Sequence, residues 1–512
     1  MKLVQLTGRE TYEGKKIICI GGTIPYLREL CEEYKDILNH LVMLLDDNVN
    51  VSDFRQFQER KLPIYPLQDV VKFDLSDTLL LIADDYYREC YDRTVSLLDG
   101  KSATDTIYFF ANRETAYDLS YRERYADTPL ENIIVFRSGP HVDAYVDGMD
   151  FADNARALFE YALSIRLNDK YELVWIVKEP DKFTAYQKYQ NVSFLSFDDS
   201  ISENALARER YYRALCLARY FFFTDAYGFV RNCRPDQVRV QLWHGCGYKK
   251  RLNTIPCGKR YEYMTVTSPL YAKLHADEFG LRDEQMLVTG CAKTDWLFKT
   301  DDYMLQQLHI PSAEKYIFWL PTYRFSAQKM HKPVDGELYK ETGMPVISHM
   351  QEWETINECL EKNNIALVIK LHPFQDSMAV CIKPFSHIVL LKNDDLTQHD
   401  IQLNQILGVA DALISDYSSA AVDYLVLDRP MAFCVEDVDR YAQTRGYIFK
   451  NILDWLPGDW VKDVDDLLSF IDEVAKDRDT SVCKRTRLRG KMHRYCDQNN
   501  CRRILQALSI LE

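Results

Sequence analysis

Short apolar runs recur along nearly the whole chain, and amphipathic stretches fill the gaps between them. This alternation constrains the fold more than any other feature. A run of aliphatic and aromatic residues too short for a helix reads as a strand buried on both faces. The stretch that follows, with a period of about 3.6 residues, reads as a crossover helix. Strands of that kind belong to parallel sheets, so the chain is expected to be α/β throughout. In the first part "KKIICI", "LVMLLDD", "TLLLIAD" and "TIYFFAN" are the expected strands, with helices around 25–38 and 85–98. Next come "NIIVFRSG", "YELVWIVKEP", "YFFFTDA", "VRVQLWHG", "YMTVTS" and "MLVTGCAKTD", with a helix around 153–165 for which Asp153 is the expected N-cap. The last part carries "KYIFWLPTYR", "IALVIKLHP", "HIVLL", "DALISDYSS" and "PMAFCV", and then a helical, basic segment.

A chain of 512 residues exceeds what one hydrophobic core supports. Length alone suggests about three domains. The expected division is a smaller N-terminal Rossmann-like α/β domain at 1–128, followed by 129–310 and 311–512. The last two are expected to form open sheets facing one cleft. The turn "GGTIPY" joins the first long strand to a helix and places Pro25 in the first helical turn. It lacks the G-x-G-x-x-G spacing and reads as a tight turn rather than a dinucleotide site.

Charge and cysteine usage narrow the function. A net charge of −14 argues against a general nucleic-acid binder, although a local cationic pocket is compatible with it. The 14 cysteines are scattered without a C-x-x-C pair, as in a reduced compartment. No apolar run approaches the roughly 18 residues of a membrane span, and the N-terminus has no signal-peptide core. The expected location is cytoplasmic, with peripheral contact at the inner face of the membrane as the one membrane role open to it. Walker, H-E-x-x-H, G-x-S-x-G and kinase motifs are missing, as is a compact metal-ligand cluster. No metal and no cofactor are therefore expected; the chemistry left is metal-free handling of a phosphate or nucleotide donor.

Open α/β sheets bind ligands at the carboxyl ends of their strands. There "VRVQLW" runs into His244-Gly245 and "IALVIKL" into His372-Pro373. One histidine at such a place is compatible with a structural role. Two, one per sheet, point to a shared cleft where a proton is moved. In "LISDYSSAAVDY" a buried strand ends at Ser415-Asp416, and a helix starts near Ser418 and Ser419. Hydroxyls and unpaired N–H groups at a helix start suit an anion. Lys249, Lys250, Lys293 and Arg324 follow strands in the same way. Gly245 and Gly247 let the chain pass close to a ligand.

Five segments, in order, resemble the CDP-glycerol glycerophosphotransferase family, the teichoic acid primases and polymerases. Trp243 to Lys250 is similar to the family's Trp-His-Gly-Thr-Pro-Leu-Lys-Lys, and Gly290 to Asp295 is similar to Gly-Tyr-Pro-Arg-Asn-Asp. Pro321-Thr322-Tyr323-Arg324 resembles Pro-Thr-Trp-Arg, His372-Pro373 falls on the His-Pro pair, and Ser415 to Ser419 resembles Thr-Asp-Tyr-Ser-Ser. Beyond these five, Arg445-Gly446-Tyr447 resembles the late Arg-Gly-Phe. The likeness covers about 130–475 and leaves the first domain without a role.

The resemblance implies a GT-B-like pair of Rossmann-type domains, the third holding a CDP-activated donor. It implies transfer of a polyol phosphate, glycerol phosphate first, to a hydroxyl with release of CMP in cell-surface polymer synthesis. The implied partners are the CDP-polyol and a lipid-linked or polymeric polyol or glycan acceptor. In that reading His244 orients the acceptor hydroxyl and takes its proton. His372, Arg324, Ser418 and Ser419 hold the diphosphate. Lys293, Lys249, Lys250, Thr322 and Arg445 support them, and Asp295 and Asp416 orient loops or ribose hydroxyls. Cys246-Gly247-Tyr248 replaces Thr-Pro-Leu, and Ala292-Lys293-Thr294 replaces Pro-Arg-Asn. Lysine offers a point charge where arginine offers a fork, so polyol and acceptor stay open, with Cys246 to Tyr248 as the stretch expected to choose between substrates. A GT-B transferase using a CMP-activated sugar and a non-catalytic nucleotide-binding protein are the alternatives. The basic segment "KRTRLRGKMHR" is expected either to contact anionic headgroups or to form a solvated helix packed back on the N-terminal sheet.

Overall fold

The computed structural model describes residues 1–46, 53–99, 105–139, 149–224, 230–251, 260–322, 341–372 and 380–512. Three largely parallel sheets follow one another along the chain. The first has the order Lys2–Gln5, Thr106–Phe109, Thr78–Ala83, Lys16–Gly21, Leu41–Asp46, Arg60–Pro66, Asp53–Phe57. Its last two strands form an antiparallel hairpin, the departure from the all-parallel expectation.

The second sheet runs Val192–Ser196, Glu172–Val177, Ile133–Arg137, Tyr220–Phe223, Val238–Gln241, Tyr263–Val266, Met286–Val288. All its pairings are parallel. The chain starts in the middle, builds outward to one edge, and returns beside its first strand to build toward the other. The order therefore reverses between Ile133–Arg137 and Tyr220–Phe223. The third sheet does the same with Ile388–Leu391, Ile365–Lys370, Lys315–Trp319, Ala412–Ser415, Met431–Cys434, Asp459–Val461, reversing between Lys315–Trp319 and Ala412–Ser415. Such reversals open a crevice at the carboxyl ends of the strands.

Burial explains why these segments are strands. Every residue of Ile365–Lys370 and of Ala412–Ser415 is buried, as runs covered by helices on both faces require. Cys246, Tyr248 and Tyr271 of the second body share one apolar cluster with Tyr417, Phe433 and Phe449 of the third. The two bodies thus meet through a continuous core. The first body docks on the second through ion pairs: Arg231 with Asp85 at 2.8 Å, and Arg260 with Glu89 at 2.9 Å while its guanidinium lies 3.8 Å from the centre of the Tyr86 ring.

The last helix, Asn500–Ala507, returns to the second body, where Cys501, Ile504 and Leu505 join the cluster of Ile134, Phe136 and Trp175. The basic segment before it packs against the second and third bodies rather than on the N-terminal sheet, because its buried partners lie there. Arg485 is 1% exposed and paired with Asp428 and Asp479, leaving Arg487, Lys491 and Arg494 on the surface. Among the described residues no helix is long and apolar enough to cross a membrane.

Candidate active site

The strand Val238–Gln241 ends three residues before His244, so a short turn, not the strand itself, delivers the histidine. Gln241 supports that turn: its Oε1 accepts the Trp243 N–H at 2.8 Å. Trp243 takes φ 53° and Gly245 φ 113°. Trp243 is a bulky residue in the left-handed region, where a cost of about 1–3 kcal/mol is normal and is borne by surrounding packing. Its ring meets Phe279 edge-on at 4.8 Å. Asn154 completes the support, donating from Nδ2 to the Trp243 carbonyl at 2.8 Å and accepting the Lys293 N–H at 3.0 Å.

The imidazole of His244 is partly exposed, and its Nδ1 lies 3.0 Å from Asp153 Oδ2. Asp153 is the first residue of the helix Asp153–Ser164 with φ 61°, not its N-cap; that position belongs to Ala152. Its side chain is turned away from the helix to the histidine. Burial alone would raise the Asp153 carboxyl, but Lys293 and His244 more than offset it and hold it well below the usual carboxylate range. An ionised carboxylate only accepts, so the Nδ1 proton of His244 is donated to Asp153, which in the neutral ring leaves the lone pair on Nε2.

Lys293 does not line the cavity between the two bodies. Its side chain is 12% exposed, with Nζ 2.9 Å from Asp153 Oδ1 and 3.4 Å from Asp423 Oδ2. It also donates to the His244 carbonyl. Burial works against its charge, and Asp153 and Asp423 overcome that, holding it above the ordinary lysine value. Asp423 belongs to the third body, so Lys293 ties the two bodies together directly behind the histidine.

The loop after His244 enters the third body. Tyr248 is buried between Phe433 and Phe449, its carbonyl accepts the Ile448 N–H at 2.9 Å, and Lys250 donates to the Gly446 carbonyl at 3.2 Å. Lys249 and Tyr447 form an antiparallel bridge, and Arg445 donates to the Lys250 carbonyl. A Cβ on Gly247 would lie 3.1 Å from Ser419 Cβ, and one on Gly245 would lie 3.3 Å from Asp423 Oδ1. Both glycines permit close approach of the two bodies, and both line the cavity between them. Cys246 and Tyr248, expected to choose the substrate, are interface residues at 1% and 0% exposure.

Opposite His244, Asp416 Oδ2 accepts from both the N–H and the hydroxyl of Thr322, at 2.8 and 2.7 Å. This pair spans the reversal point of the third sheet. Ser418 caps the short helix Ser419–Tyr424, accepting from the Ala420 N–H at 3.3 Å. His372 follows the strand Ile365–Lys370, whose last residue donates from Nζ to the Leu371 carbonyl at 2.7 Å. Burial pulls the Lys370 ammonium down to about 8.

Together these elements enclose a cavity of about 300 Å³. His244, Gly245, Lys249 and Lys250 line one side, and Thr322, His372, Ser418, Ser419 and Arg445 the other. Arg324 and Pro373 lie outside the described residues. Asp416 acts behind Thr322. Asp295 is elsewhere, its two oxygens accepting the N–H groups of Asn500 and Cys501 at 2.9 Å each. Its carboxyl, raised by burial to about 6, anchors the last helix. Among the described residues no group of three or more metal-ligating side chains converges.

The family model described as CDP-glycerol:poly(glycerophosphate) glycerophosphotransferase matches residues 131–509, from the first strand of the second body to the last helix. The chain belongs to this family. Within the glycerophosphotransferase family it is similar to the teichoic acid ribitol-phosphate polymerase TarK of Staphylococcus aureus, 26% identical over 61% of each chain. It is also 26% identical to the teichoic acid glycerol-phosphate primase of Bacillus subtilis, over 57% of this chain and 72% of that one. The matches span 61% and 46% of the length of TarK and TarL, the two ribitol-phosphate polymerases of Staphylococcus aureus. The structure of the wall teichoic acid polymerase TagF superposes with a TM-score of 0.58 at 18% identity, covering 83% of this chain and 98% of that one. That likeness carries the GT-B arrangement of two Rossmann-type bodies.

For this chain, sequence reasoning missed Asp153 as the partner of His244, Asp423 as a charge in the interface, and Arg251 and Glu278 on the cavity wall. Arg251 donates its N–H to Glu278 at 3.0 Å and stacks on Phe279 at 4.5 Å. Asp153 had one signal, a carboxylate at the start of a helix after a strand end.

Proposed function

We propose that the chain transfers a polyol phosphate from a CDP-activated donor to a hydroxyl acceptor, releasing CMP, in the synthesis of a teichoic-acid-type surface polymer. Glycerol phosphate is the first polyol to test. The observation that carries this reading is the Asp153–His244 pair facing His372, Ser418 and Ser419 across one cavity. With Nδ1–H donated to Asp153, His244 Nε2 accepts the acceptor's hydroxyl proton as the oxygen attacks the polyol-bearing phosphorus. The bond from that phosphorus to the CMP oxygen breaks, and CMP leaves with the electron pair. Such transfers pass through a loose transition state, so holding the diphosphate matters as much as taking the proton. His372, the serine hydroxyls and the rim cations Lys249, Lys250 and Arg445 are suited to that task.

The acceptor we propose is lipid-linked or polymeric and is met at the membrane periphery, which the exposed Arg487, Lys491 and Arg494 support. Purified protein given CDP-glycerol, CDP-ribitol or a CMP-sugar with a polyol or glycan acceptor should release CMP from a CDP-polyol. Wild-type turnover in both His244→Ala and His372→Ala would overturn the assignment.

A further inference from the structure

A second cavity, of about 430 Å³, lies in the same cleft on the far side of Asp153. It shares no lining residue with the first. One wall comes from carboxyl-end segments of the second sheet, Asp150-Phe151 and the stretch Glu179 to Tyr186; the other is Thr397 to Gln402 of the third body. Gln402 links the two cavities, since its Oε1 accepts the Asp153 N–H at 3.2 Å while the Asp153 carboxylate faces His244.

The chemistry of this wall differs from that around His244. Phe183 and Tyr186 lie 4.8 and 5.5 Å from Phe151, a half-buried aromatic surface beside amides and carboxylates. The cations among its described lining residues are already paired. Arg156 makes a two-pronged contact with Asp400 at 2.6 and 2.9 Å and also meets Glu160, and Lys182 lies 2.5 Å from Glu179. Asp150, Glu179 and Asp400 outnumber them on the wall. A phosphodiester would meet net negative charge here. A sugar ring offers an apolar C–H face to the aromatic rings and hydroxyls to the side-chain carboxylates and amides.

We propose that this cavity binds a neutral saccharide ring of the acceptor, away from the hydroxyl that reacts. The proposal rests on the transferase reading above and specifies its acceptor as a glycan end rather than a growing poly(polyol phosphate). A ring held between the two bodies supplies binding energy remote from the reacting centre, which serves to position the attacking hydroxyl.

The test is saturation-transfer NMR on the full-length protein with a panel of neutral hexoses, N-acetylhexosamines and their β-linked disaccharides, beside a glycerol phosphate tetramer. At least one neutral sugar should receive saturation, and the tetramer should not displace it. Tyr186→Ala should weaken that sugar by about tenfold, and Glu179→Gln, on the exposed rim, should weaken it less. Glu179 is exposed and Tyr186 half-buried, and an unchanged melting temperature in each variant confirms folding. The proposal falls if no neutral sugar gives a signal that Tyr186→Ala removes, or if the tetramer binds in preference. CMP release from the CDP-polyol is measured separately: its absence would sink the transferase reading while leaving saccharide binding in place.

Discussion

The Asp153 carboxylate lies 3.0 Å from Nδ1 of His244 across 91 residues of sequence. That contact fixes which ring nitrogen carries the proton. If the pair works as a unit, Asp153→Asn, His244→Ala and the double variant should fall to a similar residual rate, each losing about 100-fold or more in kcat. Donor KM should move little, because neither group holds the diphosphate. Steady-state CMP release at saturating acceptor checks this, and additive losses would count against the pairing.

Lys293 sits between Asp153 and Asp423 with little access to water. Lys293→Met leaves two carboxylates facing each other in the interface, at a cost of about 3–5 kcal/mol. Adding Asp423→Asn should recover part of that loss. Urea unfolding of the three proteins reads the difference directly.

Gly245 takes φ 113° and Gly247 abuts Ser419, so the two glycines should fail differently. Gly245→Ala introduces backbone strain of roughly 1–3 kcal/mol next to the histidine and should lower both melting temperature and turnover. Gly247→Ala meets the side chain at the start of the serine helix and should chiefly raise donor KM. Equal effects on KM would contradict this placement.

His275 and His493 are buried, and burial lowers both from an ordinary 6.5 to about 4. His493 donates from Nε2 to the Val422 carbonyl at 2.7 Å. Between those two pH values the unfolded chain binds protons that the folded chain refuses, so stability falls as pH falls. Each histidine contributes up to about 3 kcal/mol of acid lability. Melting temperature should therefore drop from pH 6.5 toward 4. His493→Gln, which keeps a donor without the titration, should flatten that slope.

Much of the frame was legible before any coordinates. Buried runs such as "IALVIK" and "DALIS" announce parallel strands because they are covered on both faces, and their polar endings mark the cleft. His244, His372, Thr322, Ser418, Ser419 and Arg445 do line one cavity. The hairpin Asp53–Phe57 with Arg60–Pro66 escaped because its alternation is broken by Pro63 and charged residues at the sheet edge. Lys293 looked like any solvated cation, since burial of a charge is decided by partners far along the chain. What Asp295 orients was illegible for the same reason: its partners are the N–H groups of a helix that sequence places in another body.

That helix sets an order on how the molecule is made. Asp295 and Asn500 are separated by 205 residues, yet the second body's apolar cluster is closed by Cys501, Ile504 and Leu505. A nascent chain leaving the ribosome has finished every strand of that body long before its last wall emerges. Until synthesis reaches that helix, the groove it fills stays open to chaperones and to aggregation.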